Sequence, residues 1–127
     1  MILLDTHCWI WLVDENGDFL KKYRKIIEEN DGICISAISC WEVAKLVEYG
    51  RLKLNCPIDV WIEDALIYSD IELINLTPEI AIESTQLPGD FHRDPADQII
   101  VASSRILDVP LLTMDRKILE YPFVKTI

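Results

Sequence analysis

Five acidic side chains stand where apolar runs end or helices begin. Met1-Ile2-Leu3-Leu4 stops at Asp5, and Pro110-Leu111-Leu112-Thr113-Met114 stops at Asp115. Ile33-Cys34-Ile35 leads through Ser36 to Ser39 and a helix carrying Glu42, and Asp94-Pro95-Ala96-Asp97 opens a stretch that continues Ile99-Ile100-Val101-Ala102. Carboxylates gathered at one point repel. Two of them ~5 Å apart at an effective dielectric of ~20 cost roughly 3 kcal/mol. Four, summed pair by pair, reach on the order of 10–20 kcal/mol before relaxation, comparable with the whole stability of a domain. Such a cluster must protonate, spread apart or bind cations. Oxygen donors in a chain with two His and no Cys-x-x-Cys pair favour Mg²⁺ or Mn²⁺ over zinc. One or two hard divalent ions held by carboxylates suit phosphodiester cleavage, because the ion activates a water and neutralises charge on the scissile phosphate.

The elements that must position these acids alternate along the chain. Residues 2–5 read as a short buried strand, followed by an apolar helix from Cys8 to Val13 capped by Thr6. Asn16-Gly17-Asp18 reads as a turn, and Phe19 to Glu29 places Phe19, Leu20, Tyr23, Ile26 and Ile27 at helical spacing, with Lys21, Lys22, Arg24 and Lys25 on a solvated face. A second strand at 33–35 precedes a helix from Ser39 to Tyr49-Gly50, the glycine being a common helix stop. Ile58 to Tyr68 is helical, and 71–76 reads as a third strand. Thr77-Pro78 opens a helix to Gln86, proline being favoured in the first turn. Pro95 to Leu107 is the next helix, 110–114 a fourth strand, and a fifth strand is expected near Phe123–Lys125. Apolar strands alternating with helices imply an α/β fold: a central, mainly parallel sheet of four to five strands with helices on both faces. All strands of such a sheet end on one rim, where crossover helices also begin and where ligands bind. Asp5 and Asp115 reach that rim as strand ends; Glu42, Asp94 and Asp97 reach it in the first turns of helices.

Composition sets the frame. The 127 residues suffice for one domain with its own core, and half of them are apolar. Twelve Lys and Arg against 22 Asp and Glu leave a net charge of −10. That balance excludes a protein that coats nucleic acid by bulk electrostatics, though not an enzyme that holds it through a metal ion and a few local cations. The start has no basic region and its apolar run is too short for a signal peptide, and no apolar run approaches a membrane span. The expectation is a soluble, cytoplasmic chain with no membrane partner. Cys8, Cys34, Cys40 and Cys56 read as free thiols in a reducing compartment.

Each acid also has a purely structural account. Ser39-Cys40-Trp41-Glu42 fits a capping box, with Glu42 reaching back to the Ser39 N–H. Asp94 before Pro95 fits an N-cap, with Asp97 completing a similar box, and Asp115 fits a cap on Arg116-Lys117-Ile118. Asp5 resists such a reading, because Asp is disfavoured at the end of a buried strand. Around the acids, Thr6 and Thr113 could orient carboxylates or metal-bound water, or simply cap a helix and a turn; Arg93 and Arg116 could hold RNA phosphates, or be solvated charges or structural ion pairs. Lys45 stands one turn beyond Glu42, where it could neutralise it. His7 and His92 are weaker candidates, as general bases. Trp9, Trp11, Trp41 and Trp61 could stack bases, although core or dimer-interface roles are commoner.

At Leu3-Leu4-Asp5-Thr6-His7, Ser36-Ala37-Ile38-Ser39-Cys40-Trp41-Glu42, His92-Arg93-Asp94-Pro95-Ala96-Asp97-Gln98 and Leu112-Thr113-Met114-Asp115-Arg116, the sequence resembles the PIN-domain nucleases. More closely, it resembles the VapC toxins of bacterial and archaeal toxin–antitoxin pairs. The resemblance implies a single PIN domain over residues 1–127 and a Mg²⁺- or Mn²⁺-dependent endoribonuclease. It also implies a homodimer, restrained by a small VapB-type antitoxin. The family's acidic quartet carries over as Asp5, Glu42, Asp97 and Asp115, with Asp94 as an extra or outer-shell carboxylate. Gln98 departs from the pattern, since close relatives often carry Arg there. Two other readings are a haloacid-dehalogenase-like phosphatase, which would need a second Asp in Asp5-Thr6-His7, and a catalytically silent binding module of the same fold.

Overall fold

The computed structural model describes residues 1–68 and 70–127. Its centre is a parallel sheet of β1 (Ile2–Leu4), β2 (Ile33–Ser36), β3 (Glu72–Ile74) and β4 (Leu111–Leu112), in the order β3-β2-β1-β4. The chain lays β2 and then β3 on one side of β1 and returns to place β4 on the other. The crevice between β1 and β4 is therefore the switch point of the sheet, the place where open α/β sheets bind ligands. Register aligns Leu4 with both Ile35 and Leu112, so Asp5, Ser36 and Thr113 leave the sheet level with one another.

β1 is fully buried, and its side chains alternate between two cores as strand geometry requires. Ile2 and Leu4 face one core with Trp9, Phe19, Tyr23, Val43 and Trp61; Leu3 faces the other with Ile100, Val101, Ile118 and Tyr121. Helices thus cover both faces of the sheet. α1 (Thr6–Val13), α2 (Gly17–Glu28) and α4 (Ile58–Ile67) supply the first core; α6 (Pro95–Leu107) and α7 (Arg116–Leu119) supply the second. α3 (Ala37–Glu48) gives Val43 to the first core and packs Ile38 against the second, and α5 (Pro78–Ser84) packs on α6.

Several elements begin earlier than the sequence pattern suggests. α1 starts at Thr6, and its cap is Asp5, whose Oδ1 accepts from the Cys8 N–H at 2.9 Å. Asn16 is a cap rather than a turn residue, and Gly17 and Asp18 already belong to α2. Ser36 caps α3, so Ser39 lies inside the helix and makes no capping box with Glu42, which sits in the second turn rather than the first. The expected fifth strand reduces to one isolated parallel bridge between Leu111 and Thr126. β4 is two residues long and offers the tail only the Leu111 N–H to Lys125 and the Leu111 carbonyl to Ile127. No helix is long and apolar enough to cross a membrane, among the described residues.

Candidate metal centre

The switch point opens into a cavity of about 320 Å³. Asp5, Glu42, Asp94, Asp97 and Asp115 all line it, so the rim brings together the five acids singled out in the sequence. Thr6, His7, Trp11 and Met114 complete the wall. Arg93 and Arg116 are exposed, do not line the cavity and make no ion pair among the described residues. Lys45 points away from Glu42: its ammonium lies 2.8 Å from Glu48 and within 6 Å of the Trp41 and Tyr49 rings. Trp9 and Trp61 are core residues packed edge to face, Trp11 reaches the cavity, and Trp41 is half exposed.

Each acid is held by its own element. Asp5 is 7% exposed with both oxygens engaged: Oδ1 caps α1, and Oδ2 accepts from the Thr113 hydroxyl. The Thr113 oxygen in turn accepts from the Asp115 N–H at 3.0 Å, tying the end of β1 to the end of β4. Asp115 caps α7 through Oδ1, which accepts from the N–H groups of Lys117 and Ile118. On the β2 side, the buried Thr6 hydroxyl lies 2.5 Å from Glu42 Oε1 and 2.9 Å from Ser39 Oγ. Having a single proton, it donates to the carboxylate and accepts from Ser39. Asp94 caps α6, its Oδ1 accepting from the Asp97 N–H at 3.1 Å. The Asp97 side chain makes no return cap; its Oδ2 lies 2.6 Å from His92 Nε2. Gln98 fastens the same loop by donating from Nε2 to the His92 carbonyl at 3.1 Å.

The sequence pattern did not single out Ser39, Met114 or the pairing of His92 with Asp97 as parts of this site. Ser39 carried a signal that pointed elsewhere, a capping box. The His92 contact depends on the path of the loop before α6, which no spacing encodes.

The electrostatics follow from the crowding. Burial pushes the Glu42 carboxyl above its ordinary range; the Thr6 hydrogen bond opposes this, and the charges of Asp97 and Asp94 add to it. Asp97 is raised likewise, first by burial, against the His92 hydrogen bond, with Asp94 and Asp115 adding. The acids thus feel one another across the cavity. Among the described residues, no three of them close into a compact metal-binding group. The carboxylates are spread around the cavity, and Glu42 and Asp97 hold a proton more tightly than free carboxyls do. Five carboxylates with hydroxyl neighbours and no thiolate at the cavity form a donor set for a hard divalent cation. Behind this wall the Cys8 thiol is fully buried, and its pKa is driven far upward by burial and then by the adjacent Asp5 charge.

A family model for the PIN domain matches residues 2–124. The sequence is similar to Ribonuclease VapC22 of Mycobacterium tuberculosis (strain ATCC 25618 / H37Rv), 31% identical over 117 residues, covering 92% of this chain and 88% of that protein. Solved structures share the fold at lower identity. A chain in a toxin–antitoxin complex from Klebsiella pneumoniae matches with a TM-score of 0.71 and 22% identity, covering 100% of this chain and 96% of its own. A chain of VapBC2 from Rickettsia felis, bound to a DNA fragment from its promoter, matches with a TM-score of 0.72 and 18% identity, covering 100% and 98%.

Proposed function

The chain belongs to the PIN-domain family, and from that premise we propose that it is a divalent-metal-dependent endoribonuclease, the toxin of a toxin–antitoxin pair. The observation that carries this reading is the single cavity at the β1–β4 switch point into which Asp5, Glu42, Asp94, Asp97 and Asp115 all open. In this proposal residues 1–127 act as one PIN domain, and Asp5, Glu42, Asp97 and Asp115 hold Mg²⁺ or Mn²⁺, with Asp94 outermost. When bound, the cation supplies Lewis acidity that activates water and neutralises charge on the scissile phosphate. The chain's own part is to keep its carboxylates fixed. Thr113 holds Asp5, Thr6 (itself bonded to Ser39) holds Glu42, and His92 holds Asp97, so the donors need little reorganisation when the substrate arrives. Arg93 and Arg116 are assigned in this proposal to RNA phosphates beyond the cavity, on the support of their exposure and their adjacency to these acids in sequence. A small VapB-type antitoxin and a second copy of the chain are the proposed protein partners, in keeping with the toxin–antitoxin assemblies that share the fold. Four free thiols fit a cytoplasmic setting.

The test is cleavage of RNA by the purified chain with Mg²⁺, with Mn²⁺ and with chelator, beside Asp5→Asn. The variant keeps an oxygen to cap α1 but removes a full charge, so cleavage should fall by at least ~10²-fold, and growth arrest on expression should vanish. An Asn variant that cuts at the parent rate would place the chemistry elsewhere. Failure of the parent to cut under any metal would favour the silent binding module.

A further inference from the structure

We propose that the cavity on the far side of His92 is a nucleobase subsite of the same centre, taking the base of a nucleotide next to the scissile phosphate of a single-stranded RNA; this rests on the nuclease reading above. The His92–Asp97 pair joins the two cavities, Asp97 lining the first and His92 the second. His92 Nε2 is 2.6 Å from Asp97 on the carboxylate side, and the same residue lines a second cavity of about 250 Å³. That volume lies below the ~300–1,000 Å³ of sites for drug-sized ligands and suits one planar ring system.

The wall of this second cavity is a fixed aromatic platform. The Phe91 ring centroid lies 4.2 Å from that of His92, and Tyr121 meets Phe91 edge to face at 4.8 Å. Tyr121 is buried and donates its hydroxyl to the Pro88 carbonyl at 2.5 Å, and His92 is held by Asp97, so the half-buried Phe91 is braced by two anchored neighbours. Stacking on such a platform orders few new rotamers. Asp90 and Glu120 on the rim can only accept hydrogen bonds, which suits the N–H edge of a base and repels a phosphate. The cation among the lining residues is Lys117, exposed and without an ion pair among the described residues. Its backbone N–H is bonded to Asp115, so α7 carries an acid of the first cavity and the lysine of the second within one turn. A strand whose phosphate sits at the carboxylates can therefore pass over His92, lay a base against Phe91 and meet Lys117 with its backbone. In a chain of net charge −10, a local stack with one cation is the kind of grip a single strand requires.

The experiment walks one abasic residue through a short single-stranded RNA that the parent cuts at a defined bond. Loss of a stacked base should raise KM by on the order of 10-fold at one position adjacent to that bond. Phe91→Leu, which keeps apolar volume but removes the π face, should raise KM on intact RNA and abolish the extra penalty of the lesion at that position alone. Lys117→Gln should raise KM and flatten its salt dependence with kcat near the parent value. Equal lesion penalties in parent and Phe91→Leu at every position would overturn the base subsite. If Phe91→Leu fails to fold, an unchanged KM and salt slope in Lys117→Gln overturns the proposal by itself. A parent that cuts no RNA overturns the nuclease reading instead, a result distinct from cleavage without coupling.

Discussion

Thr113 is one hydroxyl with two duties. It donates to Asp5 and accepts from the Asp115 N–H, so a single oxygen fixes acids that follow different strands. Thr113 is 1% exposed, and water cannot easily replace it. Thr113→Val should leave the Asp115 N–H without its acceptor and Asp5 without a donor, costing about 1–3 kcal/mol of stability. RNA cleavage should fall by roughly 10-fold or more, because a displaced carboxylate loses its electrostatic fit. Thr113→Ser keeps the hydroxyl and should restore most of both, as read by urea melts alongside cleavage assays. A valine variant as stable and active as the parent would reduce this hydroxyl to a bystander.

The start of α6 separates two carboxylates that look alike in sequence. Asp94 spends Oδ1 on the helix cap, whereas Asp97, a turn further in, reaches the cavity on the arm of His92. Asp94→Ala should therefore cost mainly stability, about 1 kcal/mol for a lost cap. Asp97→Asn should cost mainly activity, and the opposite pattern in paired melting and cleavage measurements would give Asp94 the larger metal role. Elements of this kind were largely legible: four of the five expected strands form, and each Pro or Thr start became a helix. The misreadings have physical causes. Ser36 and Ser39 are equally good caps, and the helix took the one at the end of β2, which freed Glu42 to bond Thr6, a partner 36 residues away. Asp5 and Thr6 compete in the same way at α1, and only the buried strand ahead of them decides. The tail run after Pro122 looks like a strand, but β4 is too short to ladder with it.

At the scale of the molecule, the common rim was legible and the strand order was not. Alternating strands and helices guarantee a shared edge, yet nothing local says that β4 lies beside β1 and closes the acids around a switch point. That closure has a thermodynamic consequence. A cation that binds only the folded protein adds RT ln(1 + [L]/Kd), roughly 1.4 kcal/mol at ten times Kd, or a few degrees in Tm. Asp115→Asn keeps a cap acceptor while removing a repelling charge, so it should raise the metal-free Tm and blunt the response to Mn²⁺. The pH dependence carries the same signature. Glu42 and Asp97 have pKa values raised in the native state, so the native state holds more protons than the unfolded chain between the ordinary carboxylate range and those raised values. Their contribution to stability therefore falls as pH rises through that window. Saturating Mn²⁺ should suppress that decline. Calorimetric melts from acid to neutral pH, with and without metal, would show whether the slope exists and whether the ion removes it.

The buried thiol behind Asp5 turns the centre into its own clock. Cys8 reacts as a thiolate, and burial together with the Asp5 charge keeps it protonated as long as α1 stays docked. Modification by a disulfide reagent must then wait for α1 to detach from the sheet, so its rate counts openings of the hub that carries Asp5. Cys56, partly exposed in the segment before α4, reports a different region of the chain. If Asp5 is among the residues that would hold it, added Mn²⁺ should slow labelling at Cys8 while leaving Cys56 unchanged, a contrast that mass spectrometry of timed quenches resolves peptide by peptide. Equal slowing at both would mean that the ion acts on global unfolding; slowing at Cys8 alone would mark the end of β1 as a hinge that the metal latches.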